Sequence, residues 1–194
     1  LRIVPNPISP SIWKFKQNFD IQKKRKDILF YWANHKSAEN GFKLLEEIFK
    51  LNNQISITIF ARSTFNDKII NKISSKYKAK LFFDLTEQDV VNLYLSHTFL
   101  FYPNKFEGFG MPPAEGLACG CIPILRYGTG ASDMYAVDGF NSIFITDNAT
   151  KDAKNILDHL NNEKKLYNLR NNSSENIEIF NPKNYGFKIL GETN

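Results

Sequence analysis

Long apolar runs, cysteines and histidines are all scarce in this chain. No stretch of its 194 residues is apolar for long enough to cross a bilayer, and none reads as a secretory signal. The two cysteines, Cys119 and Cys121, have no others to pair with and lack the spacing of a zinc site, so they read as small buried thiols in a reducing compartment. The three histidines form no cluster with Asp or Glu at metal-ligand spacing. His97 and His159 fall at expected helix ends and read as satisfied core or surface side chains. Aromatic residues do not interleave with basic ones in a nucleic-acid-binding pattern, which argues against DNA or RNA as a partner.

What is present is enough for one globular domain. The chain is 42% hydrophobic and 14% aromatic, sufficient to fill a proper core. The net charge of +5 is carried partly by Lys14, Lys16, Lys23, Lys24, Arg25 and Lys26. A solvated linker explains this cluster, and attraction to anionic lipid or to an anionic substrate is the alternative.

Apolar segments alternate with helical patterns along the chain. Residues 27–32 form a continuous apolar run of the kind expected for a strand buried on both faces, and further strands are predicted at 55–60, 80–83, 98–102, 121–125 and 141–145. Between them, helices are predicted at about 38–51, 66–75, 87–96 and 112–119, with two more at 150–160 and 163–172. Thr86 and Asp89 have the spacing of a capping box with Asp in place of Glu or Gln. About six strands alternating with helices predict an α/β, Rossmann-like parallel sheet covered on both faces. In such a sheet ligands bind at the carboxyl ends of the strands, where the strand order reverses. An order 3-2-1-4-5-6 brings the loop after the first strand, with His35 and Lys36, beside the loop after the fourth, residues 105–111. Expected domain limits are a linker and hinge segment at 1–26, the Rossmann-like domain at 27–175 and a tail at 176–194.

The loop after the fourth strand carries the densest chemistry. Lys105-Phe-Glu-Gly-Phe-Gly-Met-Pro-Pro-Ala-Glu-Gly-Leu-Ala-Cys-Gly-Cys121 contains two glutamates, Glu107 and Glu115, with seven residues between them. A carboxylate can accept hydrogen bonds from both hydroxyls of a ribose, and charge-assisted bonds are the strong kind. Glycines let backbone N–H groups approach a sugar or phosphate closely. A helix that opens at Pro112 or Pro113 points its positive dipole end at the same place. The plain alternative is a strand–loop–helix with two surface glutamates.

This stretch resembles the donor-binding signature of the retaining glycosyltransferases of family 4, whose usual wording is close to E-G-F-G-L-P-x-x-E-A-M-A-C-G, over about eighteen positions. The resemblance implies one half of the two-domain GT-B architecture: the C-terminal domain, which binds a nucleotide-diphosphate sugar. A missing N-terminal domain would hold a glycan or lipid-linked acceptor, and the chain, which opens on Leu1, is read as a fragment not expected to be active without it. Glu107 would be catalytic, at the donor sugar and the reacting region, with the amides of Gly108, Phe109, Gly110 and Met111 around it. Glu115 would bind the ribose, and backbone atoms near Asp84 and Leu85 the base. Where such proteins place an Arg and a Lys ahead of a glycine to neutralise the diphosphate, this chain has His35 and Asn40 ahead of Gly41. Lys36, Lys43 or Arg62 is then left to supply the charge. The segment 128–141 is similar to a further family motif that shapes the fold, with Asp133 where Glu is usual. No cofactor or metal is implied beyond the donor itself. Polysaccharide biosynthesis in the cytoplasm, with peripheral association at the inner face of the membrane, completes the expectation. The rivals are a non-catalytic nucleotide-sugar-binding module and a nucleotide-sugar epimerase on the same fold.

Overall fold

The computed structural model describes residues 7–13, 25–33, 36–61, 68–106, 108–128 and 130–183. Six parallel strands, β1 (Arg25–Trp32), β2 (Ile57–Ala61), β3 (Lys80–Phe83), β4 (His97–Tyr102), β5 (Ile122–Arg126) and β6 (Ile143–Ile145), pair in the order β3-β2-β1-β4-β5-β6. The order reverses between β1 and β4, as expected.

The strands are apolar on both sides because helices cover both sides. Period-2 alternation divides the inner strands between two cores, while the edge strand β3 leaves Lys80 and Phe82 exposed. Ile28, Phe30 and Trp32 of β1, with Phe99 and Phe101 of β4 and Ile122 and Ile124 of β5, face α2 (Lys36–Leu51) and α6 (Ala149–Asn161). Leu29, Phe60, Leu100, Tyr102 and Leu125 face α4 (Glu87–Ser96) and α5 (Met111–Ala118). The helix α3 (Lys68–Tyr77) precedes the edge strand β3, and α7 (Glu163–Asn171) follows α6. Gly41 lets α2 lie close to the sheet: a Cβ there would come within 2.7 Å of Pro103 Cγ and 3.0 Å of the Phe101 ring.

Local chemistry sets the helix starts. Thr86 and Asp89 form the expected capping box, each side chain accepting from the other's backbone N–H at 3.2 Å. Asn148 and Asn162 cap α6 and α7 by accepting from Lys151 N–H and Lys165 N–H. The sixth strand is shorter than the predicted 141–145, because the buried Asn141 side chain is used in its own turn. Its amide donates to Tyr135 O and its carbonyl accepts from Val137 N–H, both at 2.8 Å.

The core extends past both expected domain limits. Within the segment predicted as a linker, α1 (Pro10–Trp13) buries Ile12, and Ile8 is buried beside it. Residues 176–180, predicted as the start of a tail, complete a 3₁₀ helix, Asn172–Phe180, that buries Ile177 and Phe180 against the same core. Ile8 N–H donates to Phe180 O at 3.0 Å, so the two ends of the described chain meet there. Isolated apolar residues in a polar stretch show no periodicity, which is why neither segment read as core.

Candidate functional site

A cleft of about 250 Å³ opens at the carboxyl edge of the sheet, beside the crossover between β1 and β4. Its floor is Tyr31 of β1 with Phe60 and Ala61 of β2; Leu85, Glu87, Val90 and Tyr94 form one wall. Met111, Pro112 and Glu115 of α5 and Ile12 of α1 complete the lining. Apolar side chains share the lining with two carboxylates, Glu87 and Glu115, and two tyrosines, so the cleft offers polar and apolar surface alike, a composition suited to a planar ring and a sugar.

The turn before α5 is built for close approach. Gly110 is its N-cap, with φ 63° and ψ 47°, a left-handed conformation that costs a residue with a Cβ roughly 1–2 kcal/mol. Tyr135 O–H, fully buried, donates to the Gly110 carbonyl at 2.6 Å and pins this turn to the core. Pro112 and Pro113 have no N–H, and that of Ala114 donates to Gly110 O at 3.3 Å. Of the first four residues of α5, Met111 is therefore the one whose amide is not consumed by proline or by the helix. The helix contributes its positive dipole end at this turn.

Glu115 lies one turn further along, half-buried and facing the cleft. Its Oε2 accepts a hydrogen bond from Tyr94 O–H at 3.1 Å. Burial, and then the neighbouring Glu115 carboxylate, push the Tyr94 phenol well above its ordinary value, so it stays a protonated donor.

The structure thus gathers Glu115, Met111 and Leu85, three of the predicted residues, around one cleft. Gly108, Phe109 and Gly110 stand in the adjoining loop and do not line it. Asp84, beside Leu85, takes a left-handed φ of 50°. Glu107, His35 and Arg62 lie outside the described residues, and Lys36 is described only as the start of α2. Lys43 faces a second cleft, of about 210 Å³, with Lys105, Arg126 and Asp147. Arg126 is engaged there, donating to Pro103 O at 3.2 Å and to Asp147 Oδ1 at 2.7 Å.

Sequence reasoning did not find Tyr94, Glu87, Phe60 or Ile12 at the site. The spacing of Tyr94 within α4 marks it only as core, and nothing local reports its contact with a residue 21 positions away. Cys119 and Cys121 are buried, and the Cys121 thiol donates to Tyr94 O at 3.0 Å. His97 is satisfied: its ring nitrogens lie 2.8 Å from Leu93 O and 2.9 Å from Thr58 Oγ1. Asp133 accepts from Gly128 N–H at 3.3 Å, shaping its turn. Among the described residues no group of three or more His, Cys, Asp or Glu side chains could hold a metal ion, and no helix is long and apolar enough to cross a membrane.

Comparison with known proteins gives the family. Residues 11–178 match the model for glycosyl transferases group 1, and the chain belongs to that family. It is 36% identical over 87 residues to an uncharacterized glycosyltransferase of Methanocaldococcus jannaschii, a match covering 44% of this chain and 23% of that protein. The fold is similar to that of the pneumococcal O-GlcNAc transferase GtfA, solved in complex with UDP and GlcNAc, with a TM-score of 0.74 and 18% identity over 89% of this chain and 36% of the transferase. It is similar also to the C-terminal domain of a group 1 glycosyl transferase from Francisella tularensis, with a TM-score of 0.65 and 16% identity over 90% of this chain and 94% of that one. The chain therefore spans about a quarter to a third of the longer relatives it matches.

Proposed function

We propose that this member of the group 1 glycosyltransferases is the C-terminal, donor-binding half of a retaining enzyme that transfers a sugar from a nucleotide-diphosphate sugar to a glycan or lipid-linked acceptor. The observation that carries the reading is the Glu115 carboxylate, held by Tyr94 in a cleft at the reversal of strand order. The resemblance of two solved relatives, one with UDP bound and one a C-terminal domain, supports it.

In this reading Glu115 accepts from the ribose hydroxyls, and the base lies between Leu85 and the floor at Phe60, met by backbone atoms at Asp84 and Leu85. The amides of Gly108, Phe109, Gly110 and Met111 take the phosphates and the sugar. Glu107 stands at the reacting carbon. The bond from that carbon to the diphosphate oxygen breaks, with its electron pair leaving on the diphosphate. A bond to the acceptor oxygen forms on the same face, and the proton of the acceptor hydroxyl passes to the departing diphosphate oxygen. Charge developing on the diphosphate is met by the loop amides and by a cation, Lys36 or Arg62. The acceptor is held by a preceding domain in the cytoplasm or at the inner face of the membrane. No metal is called for.

The test is a calorimetric titration of the chain with uridine, guanosine and adenosine diphosphates, with and without EDTA, followed by a labelled-donor transfer assay. At least one diphosphate should bind, EDTA should not matter, and residues 1–194 alone should transfer nothing, because no acceptor is positioned against the donor. Failure of every diphosphate to bind overturns the reading. Robust transfer by the chain alone overturns its two-domain part. His35 and Asn40, standing where cations are usual, favour a second reading, a non-catalytic nucleotide-sugar-binding module. It predicts binding without transfer even when the preceding domain is present.

A further inference from the structure

We propose that Tyr94 is the positioning residue of the donor site, fixing the Glu115 carboxylate in the orientation that receives the two neighbouring hydroxyls of a ribose. The inference rests on the reading of Glu115 as the ribose ligand. Glutamate is a poor ligand for a diol when left to itself. Its three torsions are mobile, and ordering them costs free energy on binding. Here that ordering is completed by the fold. The Tyr94 ring is buried in the core and set edge-on against Phe60, with centroids 6.0 Å apart and planes at 86°. The Tyr94 carbonyl is held in turn by the Cys121 thiol at 3.0 Å. A tyrosine so packed has little freedom, and its hydroxyl presents one hydrogen to Glu115 Oε2 at 3.1 Å.

A buried phenol needs an acceptor, and a backbone carbonyl would satisfy it. This one reaches from α4 to α5 and ends on a carboxylate that faces the cleft. A carboxylate offers about four lone-pair positions, so one bond to a phenol does not exhaust it. Burial, and then the neighbouring carboxylate, raise the phenol well above its ordinary value, so it remains a donor through the neutral range. Two elements that line the cleft are thereby locked at the ligand's own contact.

The experiment compares the nucleoside diphosphate that binds the parent chain best with its 2′,3′-dideoxy counterpart, by calorimetry on the parent, Tyr94→Phe, Glu115→Gln and the double variant. The parent should prefer the ribose form. Tyr94→Phe should lose roughly five- to tenfold of that preference, with affinity for the dideoxy form unchanged. In the Glu115→Gln background the same change should have no further effect on the preference, because its action passes through Glu115. A Tyr94→Phe chain that binds both ligands like the parent, that weakens both equally, or that no longer folds overturns the proposal. If Glu115→Gln itself leaves the preference intact, the ribose assignment fails and this inference with it. If Glu115→Gln removes the preference and Tyr94→Phe does not, only the role of Tyr94 fails.

Discussion

On the side of the sheet covered by α2 and α6, the buried layer is Phe30, Trp32, Phe42, Leu45, Ile59 and Phe101, aliphatic and aromatic side chains in mutual contact. On the side covered by α4 and α5, the layer includes Tyr94, Tyr135, Cys119 and Cys121. Its hydroxyls and one of its thiols reach specific atoms, at Glu115, Gly110 and the Tyr94 carbonyl. The first side gains its stability from apolar area, which is non-directional. The second adds directed bonds, which pin the turn at Gly110 and hold Glu115 beside the cleft. The cleft lies where hydrogen bonds make the geometry unique, and the opposite face serves as its rigid backing.

The comparison breaks most visibly at Phe30. Phe30→Ala should cost about 3–5 kcal/mol of stability, because the ring is fully buried and touches Trp32, Phe42 and Phe101. Denaturant titration should show the loss, while whatever chain remains folded keeps its nucleotide affinity. If affinity falls with stability held, the two faces do not divide the labour as described.

Glu115→Gln should do the reverse. The melting point should hold, and nucleoside diphosphate affinity should fall by about 1–3 kcal/mol through loss of a charge-assisted bond. Calorimetry giving equal affinities would remove Glu115 from the site.

Tyr135→Phe lies between these cases. The Gly110 carbonyl loses a donor at 2.6 Å inside the core, which should cost about 1–2 kcal/mol of stability and weaken nucleotide binding modestly. A stability change without any affinity change would mean that the turn holds its shape through the left-handed glycine alone.

The smallest effect belongs to the exposed end of α2. The Glu46 carboxyl is held below its ordinary 4.5, first by its bond from Lys76 at 2.6 Å and then by that from Tyr77. A lowered folded-state value means the contribution is present above the unfolded value and is lost as pH falls through the folded one. Glu46→Gln should therefore separate from the parent slightly at neutral pH and merge with it in acid. Because the pair is exposed, the separation should be near the limit of a thermal melt. A large gap, or one that widens in acid, contradicts this account.

Much of the frame was readable from residue pattern. Apolar runs separated by helical periods identify a covered parallel sheet. Thr86 and Asp89 announce a helix start through bonds closed within four residues. The run from Glu107 to Cys121 carries its own turn chemistry, with Gly110 where φ must be positive. These signals share a property: the physics acts between near neighbours, so sequence distance and spatial distance coincide.

The missed features have the opposite property. Ile8, Ile12, Ile177 and Phe180 are core because the two ends of the chain meet across a hydrogen bond from Ile8 to Phe180. Tyr94 is a site residue because the crossover from α4 to α5 brings its hydroxyl to Glu115. Lys43 lines a second cleft with Lys105 and Arg126, a grouping that no local pattern reports. By itself the sequence determined the strand-and-helix alternation, the capped starts and the glycine-rich turn ahead of α5. Only the tertiary structure decided which carboxylate is oriented, by which phenol and against which apolar walls. Those outcomes depend on contacts between elements far apart in the chain, and burial gives such contacts a direction that composition and periodicity do not record.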